Sequence, residues 1–138
     1  MNTEKIAFLF PYSPDKTLPG SVKSPLLAFD FDDFPAVFDL NISVFFVGML
    51  DAQPYYLSAQ IFKCGEKVDT SVSKKAGVWV RPKDNLGKPS DIAAAIDLTI
   101  ENCRFEEAAT YFIEAELSKD NKVIHKNCAY FKVSKENV

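Results

Sequence analysis

Hydrophobic positions recur every second residue over most of this chain, and the pattern is clearest between Thr110 and Val133. Tyr111, Ile113, Ala115 and Leu117 fall on one side of an extended segment while Thr110, Phe112, Glu114 and Glu116 fall on the other, the period of a β-strand. Ser118-Lys119-Asp120-Asn121-Lys122 supplies side chains that tolerate turn dihedrals, after which Val123, Ile124 and an alternating run at Ala129, Phe131 and Val133 follow. The stretch predicts an antiparallel β-hairpin.

Upstream, Lys5 to Phe10 reads as a strand with Ile6, Phe8 and Phe10 on one side, ended by Pro11 and Pro14. Tyr12 to Pro25 is a Pro- and Gly-bearing surface connection in which Leu18 and Val22 are the candidate anchors. Leu27, Phe29 and Phe31 alternate with Ala28, Asp30 and Asp32 in a half-exposed strand. Phe34-Pro35-Ala36-Val37-Phe38 then places proline just inside a possible single helical turn, with Asp33 as its N-cap. Asn41 to Leu50 differs in kind. Ile42, Val44 and Phe46 make one apolar face and Phe45, Val47 and Met49 a second, as in a strand covered twice.

Tyr56 to Lys63 alternates again, Cys64-Gly65-Glu66 turns the chain, and short strands follow near Lys67 to Ser71 and at Gly77-Val78-Trp79-Val80. Arg81 to Asp91 is a polar loop. Ser90 to Asn102 admits a helix, because Asp91 is a possible cap and Ala93 to Ala95 have high helix propensity. The unbroken alternation of Ile92, Ala94, Ile96, Leu98 and Ile100 favours a strand instead. About eight or nine short strands with almost no amphipathic helix predict a single all-β domain, an antiparallel two-sheet sandwich.

At Ala109-Thr110-Tyr111 the chain resembles immunoglobulin-like and fibronectin-like domains, in which a Tyr opening the penultimate strand ties down the preceding corner through its hydroxyl. Ala109 stands where that pattern often has glycine. The wider arrangement is similar to a group of short bacterial and phage immunoglobulin-like sandwich proteins. That likeness rests on Lys5 to Phe10, on Phe34-Pro35-Ala36-Val37 leading into the two-faced strand, and on Thr110-Tyr111 with Phe131-Lys132-Val133. It implies a fold and a bacterial or phage accessory role, with no catalytic residues to carry over.

Composition narrows the function more than it names it. A chain of 138 residues, 47% hydrophobic and 25% charged, is long enough for its own core. Its twelve Phe suit packed strands. Sixteen basic and nineteen acidic residues, mixed along the sequence, leave a net charge of −3 and no stripe of the kind that binds nucleic acid. The apolar run from Ile6 to Phe10 is too short for a signal-peptide core or a membrane span, so a cytoplasmic protein is expected. Cys64, Cys103 and Cys128, widely spaced, read as reduced buried thiols; Asn41-Ile42-Ser43 is only a formal glycosylation sequon.

The residues of a type that carries chemistry each have a plainer explanation beside them. His125 is the sole histidine, so a histidine-rich metal site is impossible, and a Cys128–His125 nucleophile pair requires a bulged strand because i and i+3 project to opposite faces. Asp30, Asp32 and Asp33, with Asp39 nearby, are the candidate Ca²⁺ ligands, although their alternation with Phe29 and Phe31 already accounts for them as a solvent face. Gly87-Lys88-Pro89-Ser90 fails as a phosphate loop, because Pro89 takes the place of the required Ser or Thr. Lys74, Lys75, Arg81, Lys83 and Lys88 form either a basic rim for an acidic partner or ordinary solubilising charge. Trp79 reads as a core pin between sheets rather than a sugar-stacking platform; Tyr55 and Tyr56 are the aromatics that would join it in the latter role.

The second apolar face at Phe45, Val47 and Met49, with Phe112 and Phe62 added, is the candidate protein interface and a route to a homodimer. The expectation is therefore a non-enzymatic, cofactor-free interaction protein that binds a protein partner and self-associates through a sheet face. The alternative is a module that binds Ca²⁺ or carbohydrate at its loop end.

Overall fold

The computed structural model describes residues 3–13, 23–65 and 67–136. The expected anchors Leu18 and Val22, and Glu66 of the expected turn, lie outside them. Among the described residues the alternating pattern is realised as nine strands: β1 (Lys5–Tyr12), β2 (Ala28–Phe31), β3 (Ala36–Met49), β4 (Tyr55–Lys63), β5 (Thr70–Ser71), β6 (Ala76–Val80), β7 (Ile92–Phe105), β8 (Ala109–Lys119) and β9 (Lys122–Lys135). One sheet has the order β1-β3-β7; the other runs β2-β9-β8-β4-β5, with β6 also pairing β4. Because the chain passes between the sheets from β3 to β4 and from β7 to β8, this is an immunoglobulin-like Greek-key sandwich. Pairing is antiparallel except where β2 runs parallel to β9.

The core lies between the sheets. Ile42, Val44 and Phe46 of β3 and Ile100 and Phe105 of β7 meet Leu57, Ala59 and Ile61 of β4 and Tyr111, Ile113, Ala115 and Leu117 of β8. The Ile92 segment is a strand, as its alternation predicts. Helix propensity in the alanines yields to a ladder with β3, in which Ala95 sits opposite Phe45 and Ala94 opposite Phe46.

Three local expectations are corrected. Residues 32–35 form bends rather than a helical turn, the Phe34–Pro35 peptide is cis, and β3 begins at once at Ala36 opposite Phe105. Long-range pairing there overrides the N-cap signal of Asp33. Pro11 does not end β1, which continues to Tyr12; β1 is an edge strand, where a missing N–H is tolerated. A register shift between Ile6 and Phe8 then splits the predicted face, leaving Ile6 and Leu9 buried and Phe8 exposed.

Two features of the hairpin follow from its sequence. Asp120 and Asn121 both take positive φ, 52° and 64°, closing a two-residue turn that these residue types adopt at low cost. The Tyr111 hydroxyl donates to the Glu107 carbonyl at 2.6 Å, the corner bond that the resemblance implies, and Ala109 keeps an ordinary φ. Tyr111→Phe should cost about 1 kcal/mol in urea unfolding, since it deletes one bond from a buried ring. An unchanged midpoint would show that the corner does not depend on it.

Candidate functional site

Adjacent residues of a strand face opposite ways, and at the start of β4 this separates two tyrosines. Tyr55 turns inward and is fully buried, whereas Tyr56 turns outward. Tyr56 lies opposite Trp79 of β6 on one side and Ser118 of β8 on the other. Trp79 is 67% exposed and stands edge-on to Tyr56, with ring centroids 5.1 Å apart and planes inclined at 62°. The expected core pin is therefore a surface ring. Its neighbours Val78 and Val80 pack against the core in its place.

With Gln53 and Pro54 from the β3–β4 connection and Ser118, Asp120 and Asn121 around the β8–β9 turn, the two rings line an open groove of about 480 Å³. Gly77 makes room for it. A Cβ at that position would sit 1.9 Å from the Tyr56 hydroxyl oxygen, so only glycine lets the tyrosine ring lie where it does.

The segments that line the groove are tied together on their inner side. The Tyr55 hydroxyl accepts from the Leu50 N–H at 3.0 Å and donates to Glu4 Oε2 at 2.8 Å. Lys119 Nζ reaches the same carboxylate oxygen at 2.9 Å. Glu4 is 1% exposed. Burial raises its carboxyl pKa, but the hydrogen bond from Lys119, helped by the backbone and Tyr55, outweighs burial and holds it below the ordinary value. Burial first, and the Glu4 charge with it, pushes the Tyr55 phenol up to about 12. A buried carboxylate thus clamps the β3–β4 connection and the base of the β8–β9 turn to the start of the chain. Tyr55, expected as a stacking residue, is a positioning residue.

A second polar clamp closes the side of the sandwich between β1 and β9. His125 Nδ1 accepts from the Ile6 N–H and the Asn127 Nδ2 amide donates to the Ile6 carbonyl, each at 2.9 Å. Both residues share the inward side of β9, where Leu117 pairs with His125 and Ala115 with Asn127. Cys128 is exposed on the opposite side, so no Cys–His pair forms. Of the thiols expected to be buried, only Cys103 is; Cys64 is half-buried.

Burial, then the charge of Lys5, lowers the His125 pKa below its ordinary 6.5, in keeping with a ring that must stay neutral at Nδ1 to accept. The unfolded chain binds that proton more readily. Stability from this group is therefore complete above the unfolded pKa and is lost as pH falls toward the folded one. The melting temperature of the native protein should decline as the pH falls below the ordinary 6.5, and the decline should flatten in His125→Gln. Equal slopes would contradict the assignment.

The other sequence candidates do not come together. Phe45 and Val47 lie on the outer face of the β1-β3-β7 sheet, where Phe45 stacks on Phe8 at 4.5 Å and lies 5.9 Å from Phe10. Met49 is core: the positive φ of Gly48, 69°, and a register shift after Phe46 turn it inward. Phe112 is on the far side of the molecule, in a row with Phe62 at 5.3 Å and Tyr130 at 5.6 Å. Asp30, Asp32 and Asp33 are exposed, and among the described residues no three His, Cys, Asp or Glu side chains are placed to hold a metal ion. A hydrogen bond with Asp32, and the charges of Asp32 and Asp30, raise the Glu136 carboxyl pKa. The basic residues divide: Lys74 and Lys75 precede β6, while Lys83 and Lys88 share a loop groove with Asp84 and Asp91.

Sequence gave no hint of Glu4, which looks like part of a solvated terminus. The His125–Asn127 pair did leave one: these polar residues occupy the same parity as Ala129, Phe131 and Val133.

No protein-family model matches the chain, and no curated protein matches it. Among solved structures it is similar to a bacterial adhesin from Mobiluncus mulieris containing intramolecular disulfide, isopeptide and ester bond cross-links. In one crystal form the TM-score is 0.61 at 12% identity, over 96% of this chain and 57% of that one. In a second form the TM-score is 0.56 at 14% identity, with the same coverage of 96% and 57%. A candidate beta-galactosidase from Bacteroides fragilis superposes with a TM-score of 0.52 at 12% identity, over 92% of this chain and 17% of that one. The chain thus spans little more than half the length of the adhesin chains. At these identities the likeness is one of fold.

Proposed function

We propose that this chain is a non-enzymatic recognition module, a bacterial or phage accessory domain that binds its partner with the loop-end groove. The observation that carries the reading is Trp79, a large ring left in water, set edge-on to Tyr56 and framed by polar residues of two connections. Aromatic anchors of this kind supply much of the binding energy at recognition surfaces. The adhesin likeness supports a binding role over a catalytic one. Immobilised native protein should retain a macromolecule from a bacterial extract that the Tyr56→Ala/Trp79→Ala variant loses, while Phe45→Glu retains it. Equal retention by all three would contradict the reading.

A second reading, self-association, rests on the opposite sheet. Phe8 is 52% exposed and stacks with Phe45 beside Val47, an apolar face on the outside of the domain. If two copies meet there, light scattering should show a dimer that Phe45→Glu converts to a folded monomer. A native monomer would remove this reading.

A further inference from the structure

The recognition reading leaves the chemistry of the ligand open, and the lining of the groove narrows it. We propose that the groove takes a neutral saccharide. This rests on the groove being the binding site.

Trp79 leaves 67% of its surface in solvent, and Tyr56, inclined at 62° to it, forms the second wall of a corner. A pyranose ring suits such a corner. Its C–H face lies on the indole while its rim meets the tyrosine, burying apolar surface without hiding the hydroxyls. Around the rings stand an amide at Gln53, a hydroxyl at Ser118, a carboxylate at Asp120 and an amide at Asn121. These are the paired donors and acceptors that adjacent hydroxyls require. Among the described residues no Lys or Arg lines the groove, so none of its lining side chains neutralises a phosphate, a sulfate or an acidic sugar.

The site is set before a ligand arrives. Asp120 and Asn121 are fixed in a two-residue turn at positive φ, and Gly77 leaves the Tyr56 ring its place. A volume of about 480 Å³ falls within the range of small-ligand sites. A proline-rich peptide is the rival occupant, because aromatic grooves also hold polyproline helices. That mode docks successive prolines along an aromatic-lined groove, whereas here two rings meet at a corner hemmed by polar side chains.

Trp79 is the sole tryptophan, so its emission reports on the groove directly. The native chain is to be titrated with cellohexaose, mannohexaose, chitohexaose and a galactose oligomer, and separately with decaproline, by fluorescence and calorimetry. At least one saccharide should perturb the emission and release heat. In calorimetry Trp79→Ala, at an exposed position, should weaken that binding tenfold or more. Gly77→Ala, which displaces the Tyr56 ring but keeps Trp79, should weaken it several-fold.

Saccharide binding indifferent to both variants would overturn the assignment. So would a response to decaproline alone, which would leave the recognition reading standing with a different ligand. Silence toward every probe also overturns the saccharide, and the recognition reading then falls only if the retention experiment fails as well.

Discussion

Lys119→Met is expected to cost about 3–5 kcal/mol of stability, the loss typical of stripping one partner from a buried ion pair. The substitution leaves the Glu4 carboxylate, 1% exposed, with only the Tyr55 hydroxyl and backbone for company. Glu4→Gln should cost less, because the Lys119 side chain, 18% exposed, has a path to water. The double variant should lose less than the sum of the two, since the residues act through one contact. Urea unfolding of the four proteins measures all three statements.

The same pair has a pH signature. The folded Glu4 pKa lies below its ordinary value of 4.5, so its contribution is complete above that value and is lost as pH falls through the folded one. The Lys119→Met variant should show less of this acid loss. Because the network anchors both connections that line the groove, Lys119→Met should also loosen ligand binding without touching a lining side chain.

Phe105→Ala should cost a similar amount, about 3–5 kcal/mol, at the other end of the sandwich. Phe105 is fully buried, stacks on Phe38 at 4.8 Å, and meets Tyr111 edge-on at 4.8 Å and Phe131 at 6.1 Å. It joins β3, β7, β8 and β9 through rings alone, so truncation removes area and leaves a cavity between both sheets. Phe8→Ala is the contrast: its ring lies outside, and its loss should stay within about 0.5 kcal/mol. A Phe105→Ala protein that melts with the native one would mean that the aromatic cluster does not hold this end closed.

Much of the fold is legible because period-two alternation places a residue on a face without knowledge of its partners. Ile92 to Ile100 is the clearest example: the alanines there allow a helix, yet the pattern identifies β7. Legibility fails where the period slips. The shift near Ala7 sends Phe8 outward with nothing in the sequence to announce it, and Gly48, whose place inside a strand pattern is the sole sign of the second bulge, sends Met49 inward. It fails again where parity is ambiguous: Val78, Trp79 and Val80 are all apolar, so alternation alone cannot choose which faces the core, and pairing with Tyr56 decides.

Of the site, the sequence offers Tyr55, Tyr56 and Trp79 as stacking residues only as the alternative to Trp79 as a core pin, and Tyr55 cannot join the other two, because consecutive strand residues cannot share a face. Glu4 and Lys119 were out of reach. They lie 115 residues apart in the chain, and only the folded sandwich brings them to 2.9 Å.

The emission of the single tryptophan, read with and without acrylamide, tests the central claim most directly. An indole standing in an open groove should emit as it does in water and be quenched nearly as freely as the free amino acid. Blue-shifted emission that resists the quencher would put Trp79 between the sheets and leave the groove without its platform.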